Sequence, residues 1–211
     1  MQNEGRAGAV AAVLRERILS GELQPGQRLS EEQVRETVGV GRSTLREAFQ
    51  ILIRDRLLSH QLSRGVFVRT LTSADVADLF EARRVIEIGA LQRVSTLPAE
   101  RLRLVRAAVR AGRAGERAAD WQAVAQASTE FHRALVGLAG SPRLDDLIEG
   151  LMAEFRLAYA RMTDTQQFHR DFLDRNEALA DLIGAGEIAA AAAELDQYLH
   201  DSERALVAAY G

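Results

Sequence analysis

The chain has 211 residues, 47% of them hydrophobic and 27% charged, which is enough apolar content for one large or two small packed domains and too much for a disordered chain. No run reaches the roughly 18 apolar residues of a membrane helix, no basic-then-hydrophobic leader opens the chain, and cysteine is absent; this excludes a spanning helix, a secretory signal, disulfides, thiol catalysis and cysteine-held metals, and predicts a soluble cytoplasmic protein. The net charge of -3 divides unevenly: residues 1–70 carry 11 arginines against 8 acidic residues, residues 71–211 carry 16 against 22, and a basic front with an acidic back suggests two roles.

In chain order, Val10, Val13, Leu14 and Ile18 fall at helical spacing over residues 7–20, and Gly21 to Gly26 reads as the loop that follows. Ser30 and Gln33 form a capping-box pattern that opens a short second helix, which stops near Gly39. A third helix is predicted from Ser43 or Thr44, with Thr44 and Glu47 as a second capping box and Leu45, Ala48, Phe49 and Leu52 as its apolar stripe. Arg42 stands at its start and Arg46 falls off the stripe, so basic side chains are offered outward. Leu57-Leu58 and Val66-Phe67-Val68 flank Ser63-Arg64-Gly65 as a two-stranded hairpin. Helix, helix, turn, helix and hairpin is the order of a winged helix-turn-helix, whose third helix enters the major groove of DNA. A small structural α+β domain with solvated arginines would show the same order.

From residue 72 the strand signals stop. Helices are predicted over residues 73–95, 98–111, 120–139, 143–162, 167–185 and 187–209, joined at Pro98, at Gly112 to Gly115, at Gly140 to Pro142, at residues 163–165 and at Gly184 to Gly186. The fold class is therefore mainly α. A winged helix-turn-helix domain over residues 1–70 precedes an all-α bundle over residues 71–211.

Polar residues interrupt the apolar stripes of the second domain. Arg83 sits among Val76, Leu79, Phe80, Ile86 and Ala90, and a buried guanidinium needs an anion: Glu87 one turn on, a carboxylate of another helix, or a bound carboxylate or phosphate. Ser128 and His132 share the inward face of their helix, Asn176 interrupts Phe168, Phe172, Leu179 and Ile183, and Tyr198 joins Leu195 and Leu199. Together these five residues can line a polar cavity for a small organic effector, with an organic acid suited to Arg83. Singly, each is also an ordinary satisfied core residue. No nucleophile elbow, zinc-protease motif or P-loop occurs, and Gly39-Val40-Gly41 lacks the third glycine and leading strand of a dinucleotide site. The chain is expected to be no enzyme and to have no catalytic residues or cofactor.

Three stretches carry a family resemblance. Gly21-Glu-Leu-Gln-Pro25-Gly26-Gln-Arg-Leu29-Ser30-Glu31, Gly39-Val40-Gly41-Arg42-Ser43-Thr44-Leu45-Arg46-Glu47-Ala48 and Arg64-Gly65-Val66-Phe67-Val68 closely resemble the DNA-binding domain of GntR-family transcriptional regulators. The remainder resembles the FCD effector domain of the FadR-like subfamily through Leu79-Phe80-Glu81-Ala82-Arg83, Glu130-Phe131-His132-Arg133-Ala134-Leu135 and Ser141-Pro142-Arg143-Leu144. The resemblance implies a homodimeric, effector-responsive repressor of double-stranded operator DNA, with no membrane partner. It implies DNA contacts from Arg42, Arg46, Arg64 and Gly65 and phosphate contacts from Ser43 and Thr44, while Glu32 stands where a basic contact is common. It also implies that the metal-binding positions of many FCD domains fall on Ser128, His132, Asn176 and Tyr198. Only His132 is a good ligand there, so the pocket carries over and the metal does not; His200 lies two residues, about 200°, around the helix from Tyr198. A helical scaffold whose winged helix binds protein instead of DNA is the alternative reading.

Overall fold

The computed structural model describes residues 2–162 and 165–210. Contacts divide the chain into two units: Met1–Leu71 with Ala153–Ala160, and Thr72–Met152 with Arg161–Gly211. Residues 153–160 thus cluster with the N-terminal unit.

In the N-terminal unit, α1 (Gln2–Leu19) buries Ala7, Val10, Ala11, Leu14 and Ile18 and packs on α3. The short α2 (Glu31–Val38) starts at Ser30, whose side chain accepts from the Gln33 N–H at 3.4 Å, and ends at Gly39 in the left-handed conformation at φ 66°. Helix α3 (Arg42–Arg54) begins one or two residues earlier than the Ser43 or Thr44 expected, with Gly41 as its N-cap and no side-chain cap bond. The capping box expected of Thr44 and Glu47 is not formed, because Thr44 lies inside the first turn and is buried. The hairpin pairs β2 (Leu58–Gln61) with β3 (Gly65–Val68), Gln61 facing Gly65 and Leu58 facing Val68. A third strand, β1 (Arg28–Leu29), lies on the other edge of β3. Two residues are too few to show alternation, so it was invisible in sequence. Residues 153–160 brace this unit: Arg156 donates to the carbonyl of Leu19 at 2.9 Å, satisfying the C-terminal end of α1, and Glu154 pairs with Arg69.

The second unit opens with α4 (Ser73–Arg83), started by a reciprocal capping box between Thr72 and Asp75. The helix expected over 73–95 is interrupted by a π-helical turn, Arg84–Ile88, before α5 (Gly89–Gln92). Glu87, within that turn, is fully buried, whereas Ile86 is only half-buried; the carboxylate takes the place the apolar stripe assigned to isoleucine. Helix α6 (Ala99–Arg117) runs straight through the loop expected at Gly112 to Gly115. Those glycines serve close approach: a Cβ on Gly112 would stand 2.7 Å from Leu173 Cδ1, and one on Gly115 would stand 3.1 Å from Val124. Helix α7 (Trp121–Gly137) is capped by Asp120, which accepts from the Ala123 N–H at 2.9 Å. Next come α8 (Pro142–Arg156), a 3-10 turn over Leu157–Arg161, α9 (Thr165–Gly184) and α10 (Ile188–Ala208). Of the joint expected at 163–165, residues 163 and 164 lie outside the described residues. Helix α6 packs on α7 and α9, and α10 on α9, α4 and α5. No helix among the described residues is long and apolar enough to cross a membrane.

Candidate functional site

The N-terminal unit offers one basic face. At the start of α3, Arg42, Ser43 and Arg46 are exposed because Leu45, Ala48, Phe49 and Leu52 turn the opposite side into the core. The first turn of α3 has neither a side-chain cap on Gly41 nor an acidic residue, so the positive end of its dipole favours an outside anion. Thr44, in the same turn, is packed inside the unit at 7% exposure.

Wing geometry follows from local backbone. Ser63 and Gly65 take positive φ, 61° and 105°, which tightens the tip and leaves Arg64 exposed, its guanidinium carbon 5.8 Å from the centre of the Phe67 ring. Glycine is needed at position 65 on conformational grounds, and a Cβ there would also lie 3.4 Å from Arg28 Nε. Arg28, Arg46, His60 and Gly65 line one cleft between α2, α3 and the wing, together with Glu31 and Glu32. Sequence reasoning missed Arg28 and Glu31 as members of this face. Nothing local marks either one, because the strand pairing of β1 and the packing of α2 on α3 bring them there.

In the helical unit Arg83 and His132 meet at a carboxylate, Glu87, and Tyr198 joins them through His132. Arg83 Nε donates to Glu87 Oε1 at 2.7 Å, His132 Nδ1 lies 2.6 Å from Glu87 Oε2, and His132 Nε2 lies 3.1 Å from the Tyr198 hydroxyl. The Ser128 hydroxyl lies near the Tyr198 oxygen. Arg83, Glu87, His132 and Tyr198 are all at least 97% buried.

Charge states follow from this arrangement. Burial alone would raise the Glu87 pKa, but Arg83 and then His132 outweigh it and hold the carboxyl below its ordinary value. Burial lowers the His132 pKa, Glu87 opposes, and Arg83 adds to the lowering, so the imidazole is neutral near pH 7. Burial pushes Tyr198 up to about 12 against Arg83 and the nearby Ser128 hydroxyl, which keeps the phenol protonated. One order satisfies His132 on both sides: Tyr198 donates to His132 Nε2, and His132 Nδ1–H donates to Glu87.

Arg83 forms an internal ion pair with Glu87 through its Nε. The metal question is answered by donor chemistry: the Nε2 lone pair of His132 is taken by Tyr198, Tyr198 is protonated, and Glu87 is shared between Arg83 and His132. No group of three or more histidine, cysteine, aspartate or glutamate residues suited to a metal ion occurs among the described residues, and His200 is exposed. The residues do not fit a divalent ion. Asn176 is also brought inside, at 2% exposure, and its Oδ1 has no hydrogen-bond partner among the described residues.

The profile for bacterial regulatory proteins of the gntR family matches residues 6–68, and the FCD domain profile matches residues 78–201, well over half of the chain. The chain belongs to the GntR family of transcriptional regulators, with an FCD domain. A solved structure from Rhodococcus sp. RHA1, assigned to the GntR regulators, superposes with a TM-score of 0.91 at 38% identity, covering 98% of this chain and 100% of that one. The HTH-type transcriptional regulator YdhC of Bacillus subtilis is 35% identical over 81 residues, 38% of this chain and 36% of that protein. The gluconate operon transcriptional repressor of the same organism is 34% identical over 94 residues, 44% of this chain and 38% of that protein. This GntR chain thus matches well under two thirds of the length of either curated relative. Both domains belong to transcriptional regulators and not to enzymes.

Proposed function

We propose that this GntR protein is a cytoplasmic repressor that binds double-stranded operator DNA as a homodimer and releases it when a small organic effector enters its helical unit. The observation that carries the DNA reading is the uncapped, acid-free first turn of α3 flanked by exposed Arg42, Ser43, Arg46 and the Arg64-Gly65 wing, a surface with both phosphate-binding and base-reading groups. The name of the gluconate operon relative supports repression as the sign of control. A duplex selected from a random library should bind far more tightly than its scrambled counterpart, with a steep loss of affinity as salt rises. Equal binding of the two duplexes would remove the reading.

For the dimer, the favoured face is a groove of about 920 Å³ on α6, α7 and α8 with a floor of Ala107, Ala108, Ala111 and Ala127. Leu104, 59% exposed, stands beside that floor, so a two-fold mate can place its own Leu104 on these alanines while Arg101 and Arg133 meet Glu100 and Glu130 across the rim. Leu104→Asp should convert a dimer into a monomer by light scattering at micromolar concentration and weaken operator binding. Wild-type protein that is monomeric both free and on DNA would contradict the mechanism.

For the effector, the candidate residues are Ser128, His132, Asn176 and Tyr198, with Arg83 held behind them by Glu87. The open acceptor of Asn176 favours a ligand that brings an N–H or O–H donor. Compounds that raise the melting temperature in a screen of organic acids and polyols supply the probes. Asn176→Leu and Tyr198→Phe should then lose ligand-induced release from DNA while keeping ligand-free DNA binding. Wild-type release by both variants would make these residues satisfied core and nothing more.

A further inference from the structure

Arg46 does not stand alone on the DNA-facing surface. Its Nε donates to both carboxylate oxygens of Glu31, at 3.1 and 3.3 Å, although the two residues are fifteen apart in sequence and lie on different helices. Glu31 is the first residue of α2, where the helix N-terminus favours a carboxylate, and Ser30 caps that helix. The pair is solvated, with side-chain exposures of 67% for Arg46 and 41% for Glu31, so it contributes little to stability. Its meaning lies in direction. A guanidinium is a rigid planar fork, and the two terminal nitrogens of Arg46 have no protein partner among the described residues. With Nε occupied, the terminal nitrogens are left as the end of the fork that can grip the O6 and N7 of a guanine.

We propose that Glu31 is a specificity-determining positioning residue that holds Arg46 by its Nε and fixes the angle at which the terminal nitrogens meet a base edge. This rests on the reading of Arg46 as a base contact. An arginine already held in its binding rotamer has less freedom to lose when the groove closes around it. The same carboxylate has a cost, since it faces the phosphates of any duplex and repels them. Glu31 therefore weakens general DNA binding and strengthens discrimination. A latch that merely blocked Arg46 would weaken both.

The opposed signs make the test. Affinities of the full-length protein are measured by fluorescence anisotropy for the duplex selected by the wild type from a random library and for its scrambled counterpart. Glu31→Ala should tighten scrambled binding roughly twofold to threefold through loss of one repelled charge, while the selected-to-scrambled ratio falls on the order of tenfold as Arg46 loses its alignment. Glu31→Gln keeps an acceptor oxygen for Nε and should retain most of the ratio. In an Arg46→Ala background, Glu31→Ala should no longer change the ratio. An unchanged or increased ratio in Glu31→Ala, with Arg46→Ala still losing selectivity, would overturn the positioning role and make the pair a latch or a surface ion pair. An unchanged ratio in Arg46→Ala would instead remove the base contact itself, and the inference with it.

Discussion

Glu87→Ala should destabilise the helical unit by about 3–5 kcal/mol, because it leaves the guanidinium of Arg83 buried without its carboxylate and the His132 Nδ1–H without its acceptor. Arg83→Met combined with Glu87→Leu should recover most of that loss, since a buried pair replaced by packed apolar groups is often neutral. The chain's only tryptophan, Trp121, lies in this unit, so urea unfolding followed by its fluorescence reads the relevant transition. Near-wild-type stability of the single variant would mean that the ion pair does not organise the core. The same cluster dictates a pH dependence. The folded His132 has a pKa below its ordinary 6.5, so between that folded value and pH 6.5 the unfolded chain binds a proton that the native one does not. Its contribution is complete above pH 6.5 and is lost as pH falls, by about 1.4 kcal/mol per unit. Glu87, whose folded pKa lies below its ordinary 4.5, adds a second loss in the same direction at lower pH. Melting temperatures at pH 7.5 and 5.5 should therefore differ less in His132→Asn than in the wild type. An equal difference would assign the titration to other groups.

Arg46→Ala should reduce the preference for the selected duplex over its scrambled counterpart by roughly 10–100-fold, the loss expected when an arginine forked onto a guanine edge is removed at about 1–3 kcal/mol. Binding to scrambled DNA should weaken much less, because only one charge is removed from a face that also offers Arg28, Arg42 and Arg64. Arg42→Ala, at the first residue of α3, provides the contrast if its role is mainly to hold phosphate: both duplexes should weaken together. An unchanged preference in Arg46→Ala would mean that α3 is not the reading helix.

The winged unit was readable along the chain wherever its signals are local. Ser30, Gly39 and the Ser63-Arg64-Gly65 turn each mark a boundary through their own backbone chemistry. The apolar stripe of α3 located Arg42 and Arg46 outside it for the same reason. The cap expected at Thr44 does not form, because packing places Thr44 inside the first turn of α3 behind Gly41.

In the helical unit, helical spacing was sufficient to place Arg83, Ser128, His132, Asn176 and Tyr198 on inward faces, and Glu87 was visible as a partner one turn from Arg83. It could not tell which neighbour each would meet. Glu87 and His132 are 45 residues apart, and His132 and Tyr198 are 66 apart; the joining of three helices at one carboxylate is a matter of tertiary packing. Gly112 shows the same limit. Two glycines within four residues carry a loop signal locally, yet the helix continues because Leu173 of α9 presses against that point. Periodicity and turn chemistry are properties of adjacent residues and survive in the sequence, whereas the pairing of Arg46 with Glu31, of Glu87 with His132 and of Gly112 with Leu173 depends on which helix faces come together.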